Sequence, residues 1–270
     1  MIDREIFFNE VRGDLFDGNL NDDQVQGLDT ILDEWHLLEL PDSRWLAYIL
    51  ATVHHETGRK FRPIEENLNY VSGSRIKAVW PTRFAAVNEA SEYVHNPEAL
   101  ANKVYGRRLG NTAIGDGWHY RGRGYVQITG RANYKKLGDL VNADLVQNPD
   151  RALEPLLATS ILFQGMIEGL FTGQNLARYI KSGRPADWKH ARRIVNGLDQ
   201  APKIADYARA YYHAINQAEI NPVISHPPQP DDPGPIPVTQ KPKFGKKDRL
   251  FVTALAVTIF LIFIVILIGG

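Results

Sequence analysis

The sequence predicts a mainly α-helical protein with a small β element and a single C-terminal transmembrane helix. Apolar side chains recur at helical spacing through most of the first 220 residues. Strand-like alternation is confined to a short stretch, Tyr125-Val126-Gln127-Ile128-Thr129. An uncharged apolar run begins at Leu250 and ends at Ile268, a length that matches the hydrocarbon core of a bilayer.

The first helices are marked by their caps. Residues 1–20 are weakly patterned, and Asn21 with the acids after it predicts the first helix start. Asp42 and Ser43 open a second helix, which should end near Glu56 because Gly58 favours a stop. Further helices are expected over 74–80, 82–94, 96–105, 148–170, 188–195 and 201–218.

Charge and cysteine content exclude several classes of protein. The 31 basic and 31 acidic residues balance, which argues against nucleic acid as the main partner because phosphate binding favours a basic excess. The chain has no cysteine, so a disulfide framework, a thiolate zinc site and a cysteine nucleophile are all impossible.

Composition divides the chain into three parts. Residues 1–221 have the pattern of a folded domain. Residues 222–249 are predicted to be a linker, first rich in proline and then basic, which cannot build a core. Residues 250–268 are the predicted membrane span, so a lipid membrane is an expected partner. The basic residues before the span favour a cytoplasmic domain by the positive-inside rule, whereas a cell wall lies on the other side of the membrane.

Two glutamates suggest glycoside hydrolysis, which typically needs one carboxylic acid and one carboxylate on either side of the scissile bond. Glu56 lies at the end of a predicted helix, where the dipole and partial burial favour its protonated form and suit a general acid. Glu66 lies about ten residues on in a polar loop, where it is expected to stay ionised and act as the base.

Other interpretations of the same residues are weaker. A zinc peptidase site needs a second histidine four residues after the first, and neither His54 nor His55 has one. Gly122 and Gly124 lack the lysine that follows a phosphate-binding loop, so they more simply allow tight backbone beside a groove. Four aromatic side chains could form sugar-stacking faces or belong to the core: Trp118, Tyr120, Tyr125 and Tyr134.

Four runs of residues resemble glycoside hydrolase family 19, and in particular its bacteriophage endolysin branch. The resemblance covers roughly residues 25–215 in order. The runs are His55-Glu56-Thr57-Gly58, then Glu66-Asn67-Leu68-Asn69-Tyr70, then the long stretch from Tyr120 to Tyr134, then Arg193-Ile194-Val195-Asn196-Gly197.

The resemblance implies a lysozyme-like, α-helical domain and an inverting hydrolysis of β-1,4 bonds between amino sugars, with no cofactor and no metal. Glu56 matches the general acid and Glu66 the general base. Glu65 is the alternative base, because some endolysins place the second glutamate nine residues after the first. Thr129 matches the residue that holds the attacking water. The candidate substrate-binding residues are His55, Tyr120, Arg123, Gln127, Asn133, Tyr134 and Asn196.

The expected substrate is bacterial peptidoglycan, because the motifs resemble endolysins and a membrane-attached enzyme lies near a cell wall. A chitinase, a lytic transglycosylase and a non-catalytic wall-binding module are the alternatives. The expected place is the host inner membrane or the membrane of a virion, with a holin or other lysis or virion membrane proteins as candidate partners. The sequence leaves the side of the membrane open.

Overall fold

The computed structural model describes residues 1–220, which form a mainly α-helical structure with one small sheet, as predicted. The predicted linker and membrane span lie outside these residues. Within the described range, no helix combines the length and apolar character needed to cross a bilayer. The α-helices are α1 (Arg4–Leu15), α2 (Asp22–Leu38), α3 (Ser43–Glu56), α4 (Gly73–Val79), α5 (Val87–Ser91), α6 (Pro97–Tyr105), α7 (Asp116–His119), α8 (Arg131–Leu140), α9 (Pro155–Glu168), α10 (Leu176–Tyr179) and α11 (Ala201–Ile220).

Side-chain caps fix the first three helices. Asn21 and Gln24 form a reciprocal capping box at the start of α2, and Asp42 caps α3, so both predicted starts are confirmed. Helix α1 was not predicted. It is capped by Asp3 and buries Phe7, Val11 and Leu15 at a spacing of four residues, a stripe too narrow to stand out in a polar segment.

Helix α3 is the central element of the larger hydrophobic cluster. Every residue from Leu46 to His54 is buried, so the helix is enclosed on nearly all sides rather than on one face. It packs mainly against α11, which also packs against α1. This enclosure fixes the position of Glu56, the last residue of α3.

A smaller hydrophobic cluster is built by α4, α5 and α6 around Leu68, Trp80 and Phe84. The predicted helix over 82–94 is shorter than expected, because residues 82–86 form a turn and α5 begins only at Val87. The helix predicted over 188–195 is a short 3-10 helix, His190–Ile194, and a second 3-10 helix, Pro149–Leu153, precedes α9.

The predicted strand over 125–129 is wrong. Strand β1 (Ile64–Glu65) pairs antiparallel with β2 (Arg123–Gly124), so the strand lies just before the alternating stretch. The chain then turns at 125–127 and returns to pair Ile128 with Arg123. Gln127 has a φ of 55°, a left-handed conformation that a regular strand does not contain. The small sheet therefore joins the Glu65–Glu66 segment to the stretch from Tyr120 to Tyr134, which we call the long motif.

His54 provides a test of the packing behind α3. Its Nδ1 lies 2.9 Å from the Tyr211 hydroxyl, its ring packs 4.1 Å from that of Tyr207, and its Nε2 has no hydrogen-bond partner. Burial lowers the pKa of His54 to about 4. The unfolded chain, with an ordinary pKa near 6.5, binds the proton first, so stability is full above about pH 6.5 and is lost as pH falls toward about 4.

We therefore expect the free energy of unfolding to fall by about 2 kcal/mol from this group between about pH 7.5 and about pH 5. Urea titrations of the wild type and of a His54→Phe, Tyr211→Phe double variant measure the contribution, because the variant removes both hydrogen-bonding partners together. Equal slopes of stability against pH in the two proteins would contradict a buried neutral histidine.

Candidate active site

Glu56 is held at the C-terminal end of α3 by an arginine from a distant part of the chain. Its Oε1 accepts a hydrogen bond from Nη1 of Arg192, 2.5 Å away, and Arg192 is 3% exposed. The guanidinium also donates through Nε to the carbonyl of Asp199. A buried guanidinium therefore fixes the Glu56 carboxylate and places a positive charge against it.

Glu66 directly follows β1 and is bound on both carboxylate oxygens. The Tyr105 hydroxyl donates to Oε1 at 2.6 Å, and the Gly122 N–H donates to Oε2 at 3.1 Å. Burial raises the pKa of Glu66, and the hydrogen bonds from Tyr105 and Gly122 oppose that rise. Burial of Glu66 therefore works against the expectation that this carboxyl group stays ionised in a polar loop.

Gly122 allows Glu66 and Gln127 to approach one another. A Cβ at Gly122 would lie 2.8 Å from Gln127 Oε1 and 3.2 Å from Glu66 Oε2, so a side chain there would displace one of them. Gln127 donates to the Ile64 carbonyl at 2.8 Å. The structure thus brings Glu66 together with the long motif that contains Gln127.

Thr129 and Asn133 continue from Gln127 in a chain of hydrogen bonds. The Thr129 hydroxyl donates to the Gln127 carbonyl at 3.0 Å, and the Asn133 amide donates to the Thr129 carbonyl at 2.7 Å. Both residues are partly exposed. With its hydrogen committed to Gln127, the Thr129 hydroxyl can only accept from a further group, such as a water.

Glu65 lies on the opposite side of the strand from Glu66, as alternation along a strand requires. Its Oε1 pairs with Arg121 at 2.6 Å and with Arg123 at 3.1 Å. Arg123, which is 2% exposed, also pairs with Asp150 at 2.8 Å. Glu65 therefore belongs to an ion-pair cluster that holds β2.

Three of the predicted substrate-binding residues are buried, which corrects their expected role. Tyr120 is 4% exposed and donates to the Val146 carbonyl, and Tyr134 is 0% exposed and donates to the Arg121 carbonyl. Arg123 donates to the Tyr134 hydroxyl and ion-pairs inside the fold. None of these three side chains exposes enough surface to contact a sugar. We expect them instead to stabilise the conformation of the long motif through their buried hydrogen bonds.

The remaining predicted positions keep some exposure. His55 precedes Glu56 and is half-buried, and burial lowers its pKa although Glu56 opposes the shift. Asn196 is partly exposed, and its side chain accepts from the Gly197 N–H. Of the other two aromatic residues that could stack on a sugar, Trp118 keeps some exposure beside the Arg121 guanidinium, 3.6 Å from its ring centroid, whereas Tyr125 is buried in the core.

Sequence reasoning missed the two residues that hold the glutamates. Tyr105 looked like one more apolar position of α6, and Arg192 lay one residue outside the matched run that begins at Arg193. Neither is near its partner in sequence. Within residues 1–220, no three histidine, aspartate or glutamate side chains are grouped so that they could hold a metal ion.

Tyr105 gives a testable effect on Glu66. Burial and the nearby Glu66 raise the pKa of Tyr105, so its hydroxyl stays protonated and donates. Tyr105→Phe removes a hydrogen bond that lowers the pKa of Glu66, so that pKa should rise further. If Glu66 acts as a base in its ionised form, the acidic limb of the pH dependence of kcat should move to higher pH. The value of kcat should fall by about 10-fold.

Tyr93→Phe is the matched control, because Tyr93 packs on Phe84 in the same cluster and has no contact with Glu66. The pH dependence of kcat in the Tyr93→Phe variant should match that of the wild type. An unchanged acidic limb in the Tyr105 variant would show that this hydroxyl does not tune the base.

Comparison with known proteins supports the family resemblance. Over 115 residues the chain is 41% identical to a Haemophilus influenzae protein described as a glycosyl hydrolase family 19 domain-containing protein. The aligned part is 40% of this chain and 56% of that protein, so the chain spans little more than half the length of the relative it matches. No family model matches the chain.

Two solved structures show a distant similarity. Chitinase C from Streptomyces griseus has a TM-score of 0.47 at 18% identity, covering 80% of this chain and 76% of that one. A bacterial family 19 chitinase has a TM-score of 0.43 at 18% identity, covering 79% of this chain and 94% of that one. Neither similarity is close enough to define the chemistry of the site.

Proposed function

We propose that this chain is a glycoside hydrolase that cleaves β-1,4 bonds between amino sugars, with Glu56 as general acid and Glu66 as general base. The observation that carries the proposal is the way the two carboxylates are held. Glu56, the last residue of α3, is fixed by Arg192, and Glu66, directly after β1, is fixed by Tyr105 and Gly122. The sequence similarity to a family 19 protein supports the same activity.

The proposed mechanism is the inverting one that the resemblance to family 19 implies. Glu56 donates its proton to the oxygen of the departing sugar as the glycosidic bond breaks. Glu66 takes a proton from a water, whose oxygen forms the new bond to the anomeric carbon from the opposite face. The Thr129 hydroxyl accepts a hydrogen bond from that water. Both carboxyl groups return to their starting forms by exchanging protons with solvent.

The charges around the two glutamates suit one alternative, in which Glu66 is the acid and Glu56 the base. Arg192 places a positive charge against Glu56, and burial raises the pKa of Glu66. We retain Glu56 as the acid because the run that contains it resembles the acid motif of family 19. The variants described in the Discussion separate the two assignments.

For the substrate we propose bacterial peptidoglycan, cut between N-acetylmuramic acid and N-acetylglucosamine, in a phage-type enzyme of host lysis or entry. The resemblance to endolysins and the predicted membrane span support this choice. A chitinase is the second candidate. Its support is that two of the similar solved structures are named as chitinases.

Product analysis tests the activity. The full chain is incubated with purified sacculi and, separately, with chitin oligomers, and new reducing ends are identified. Muramic acid reducing ends from sacculi are expected. Faster cleavage of chitin oligomers would indicate a chitinase, anhydro sugars a transglycosylase, and binding without cleavage a wall-binding module.

We further propose that residues 250–268 attach the enzyme to a membrane and that residues 222–249 give it reach, in the host inner membrane or in a virion membrane. A holin or another lysis protein remains a candidate partner. Alkaline extraction of membranes from cells that make the full chain tests the attachment, since release of the protein into the supernatant contradicts it.

A further inference from the structure

One peptide group connects the long motif to the candidate base. Both backbone groups of Gly122 contact Glu66: the Gly122 carbonyl accepts from the Glu66 N–H at 2.8 Å, and the Gly122 N–H donates to Glu66 Oε2 at 3.1 Å. A hydrogen bond from a backbone N–H to a carboxylate stabilises the ionised form of that carboxylate. This contact depends on the orientation of the planar peptide group between Arg121 and Gly122, whose C=O and N–H point in opposite directions.

The carbonyl end of the same peptide group is held by Tyr134. The Tyr134 hydroxyl donates to the Arg121 carbonyl at 2.7 Å, and the tyrosine is fully buried. Burial raises the pKa of Tyr134 to about 12, so the hydroxyl keeps its proton and remains a donor. Hydrogen bonds in series polarise one another, so a donor on the carbonyl makes the N–H on the other side of the peptide group a stronger donor.

Arg123 sets the direction in which the Tyr134 hydroxyl donates. Its Nη1 donates to the Tyr134 oxygen at 3.1 Å, and a guanidinium cannot accept, so the hydroxyl hydrogen must point elsewhere. The Arg121 carbonyl receives that hydrogen, because the direct bond from Arg123 to the same carbonyl is longer, at 3.4 Å. Arg123 is itself held by ion pairs with Glu65 at 3.1 Å and Asp150 at 2.8 Å.

We propose that Tyr134 is a positioning residue for Glu66: its hydroxyl orients and polarises the peptide group between Arg121 and Gly122, whose N–H holds the carboxylate. This inference rests on the proposed function, in which Glu66 takes a proton from a water. The guanidinium, the hydroxyl and the peptide N–H each donate toward the carboxylate, so the series favours its ionised form against the effect of burial. Tyr134 thus acts on the base through the peptide group, from a buried position.

The test is the variant Tyr134→Phe, which removes the hydroxyl and keeps the ring. The infrared carboxyl band of Glu66 in the full chain is identified as the band that Glu66→Gln abolishes, and its titration gives the pKa of Glu66 without turnover. We expect that pKa to rise by about 0.5–1 pH unit in the Tyr134 variant. With sacculi as substrate, the acidic limb of the pH dependence of kcat should move to higher pH by the same amount, while KM stays within about twofold.

Tyr120→Phe is the matched control. The Tyr120 hydroxyl is also buried and also donates to a carbonyl, that of Val146 at 3.0 Å, and its ring lies 5.4 Å from that of Tyr134. Its removal should lower the thermal unfolding temperature as Tyr134→Phe does, and it should leave the pKa of Glu66 unchanged. The other titratable and charged groups that act on Glu66 are retained in both variants: Tyr70, Tyr105 and Arg121.

Fluorotyrosine at position 134 gives a second test with the opposite sign. It keeps the hydroxyl and makes it a stronger donor, so the pKa of Glu66 should fall below the wild-type value, and this protein decides the question if Tyr134→Phe does not fold. An unchanged pKa of Glu66 in these proteins, or an equal rise in Tyr120→Phe, overturns the proposal. Lack of turnover by the wild type would contradict the proposed function alone, whereas turnover with an unchanged pKa of Glu66 would contradict the role of Tyr134 alone.

Discussion

Glu66→Gln is expected to lower kcat on peptidoglycan by about 10²- to 10⁴-fold, because it removes the group that takes the proton from the attacking water. The fold should survive, since the amide oxygen can still accept from the Gly122 N–H while the amide NH2 donates to the Tyr105 hydroxyl oxygen. The measurement is the rate of reducing-end release from sacculi, with thermal unfolding as the check on structure.

Glu65→Gln is the matched control, one residue away on the other face of the strand. Its ion pairs with Arg121 and Arg123 are structural, so the free energy of unfolding should fall by about 1–3 kcal/mol while kcat stays within a few-fold of the wild type. If the Glu65 variant loses turnover and the Glu66 variant keeps it, the base is Glu65.

Glu56→Gln is expected to reduce turnover by a similar factor, about 10²- to 10⁴-fold, because an amide cannot protonate the departing oxygen. The loss should shrink on a substrate whose leaving group needs no proton, such as a nitrophenyl glycoside of the same sugar. Glutamine can still accept from Arg192, so the chain should fold.

The same two variants distinguish the reversed roles of the glutamates. A small anion such as azide attacks without losing a proton, so it should restore turnover when the base is missing and not when the acid is missing. We expect azide to rescue the Glu66 variant. Rescue of the Glu56 variant instead would assign the base to Glu56 and the acid to Glu66.

Local signals in the sequence were sufficient for most of the helices. Caps such as Asn21 and Asp42 mark where helices begin, and a stop at Gly58 places Glu56 at a helix end. The strand was misplaced because residues 125–127 form a turn, although apolar and polar residues alternate in the sequence there. Strand pairing is set by a distant partner, here Ile64–Glu65, which the local pattern does not contain.

The environment of the site was less predictable than its residues. Glu66 was expected to stay ionised in a polar loop beside Asn67 and Asn69, yet it is partly buried and accepts a hydrogen bond from Tyr105, which lies 39 positions away in sequence. Arg192 is 136 positions from Glu56. Such contacts depend on how the helices pack, and pattern along the chain carries no information about them. The same holds for Tyr120 and Tyr134, whose aromatic rings fit a binding face and a core equally well.

The most direct measurement of the two-carboxylate account is the configuration of the product at the moment it forms. Proton NMR of a soluble oligosaccharide from peptidoglycan, recorded in the first minutes of cleavage by the full chain, distinguishes the two anomers before they equilibrate. Activation of water by Glu66 opposite Glu56 predicts the α-anomer from a β-linked substrate. A first-formed β-anomer, or intact oligosaccharide, would contradict the assignment of these two side chains.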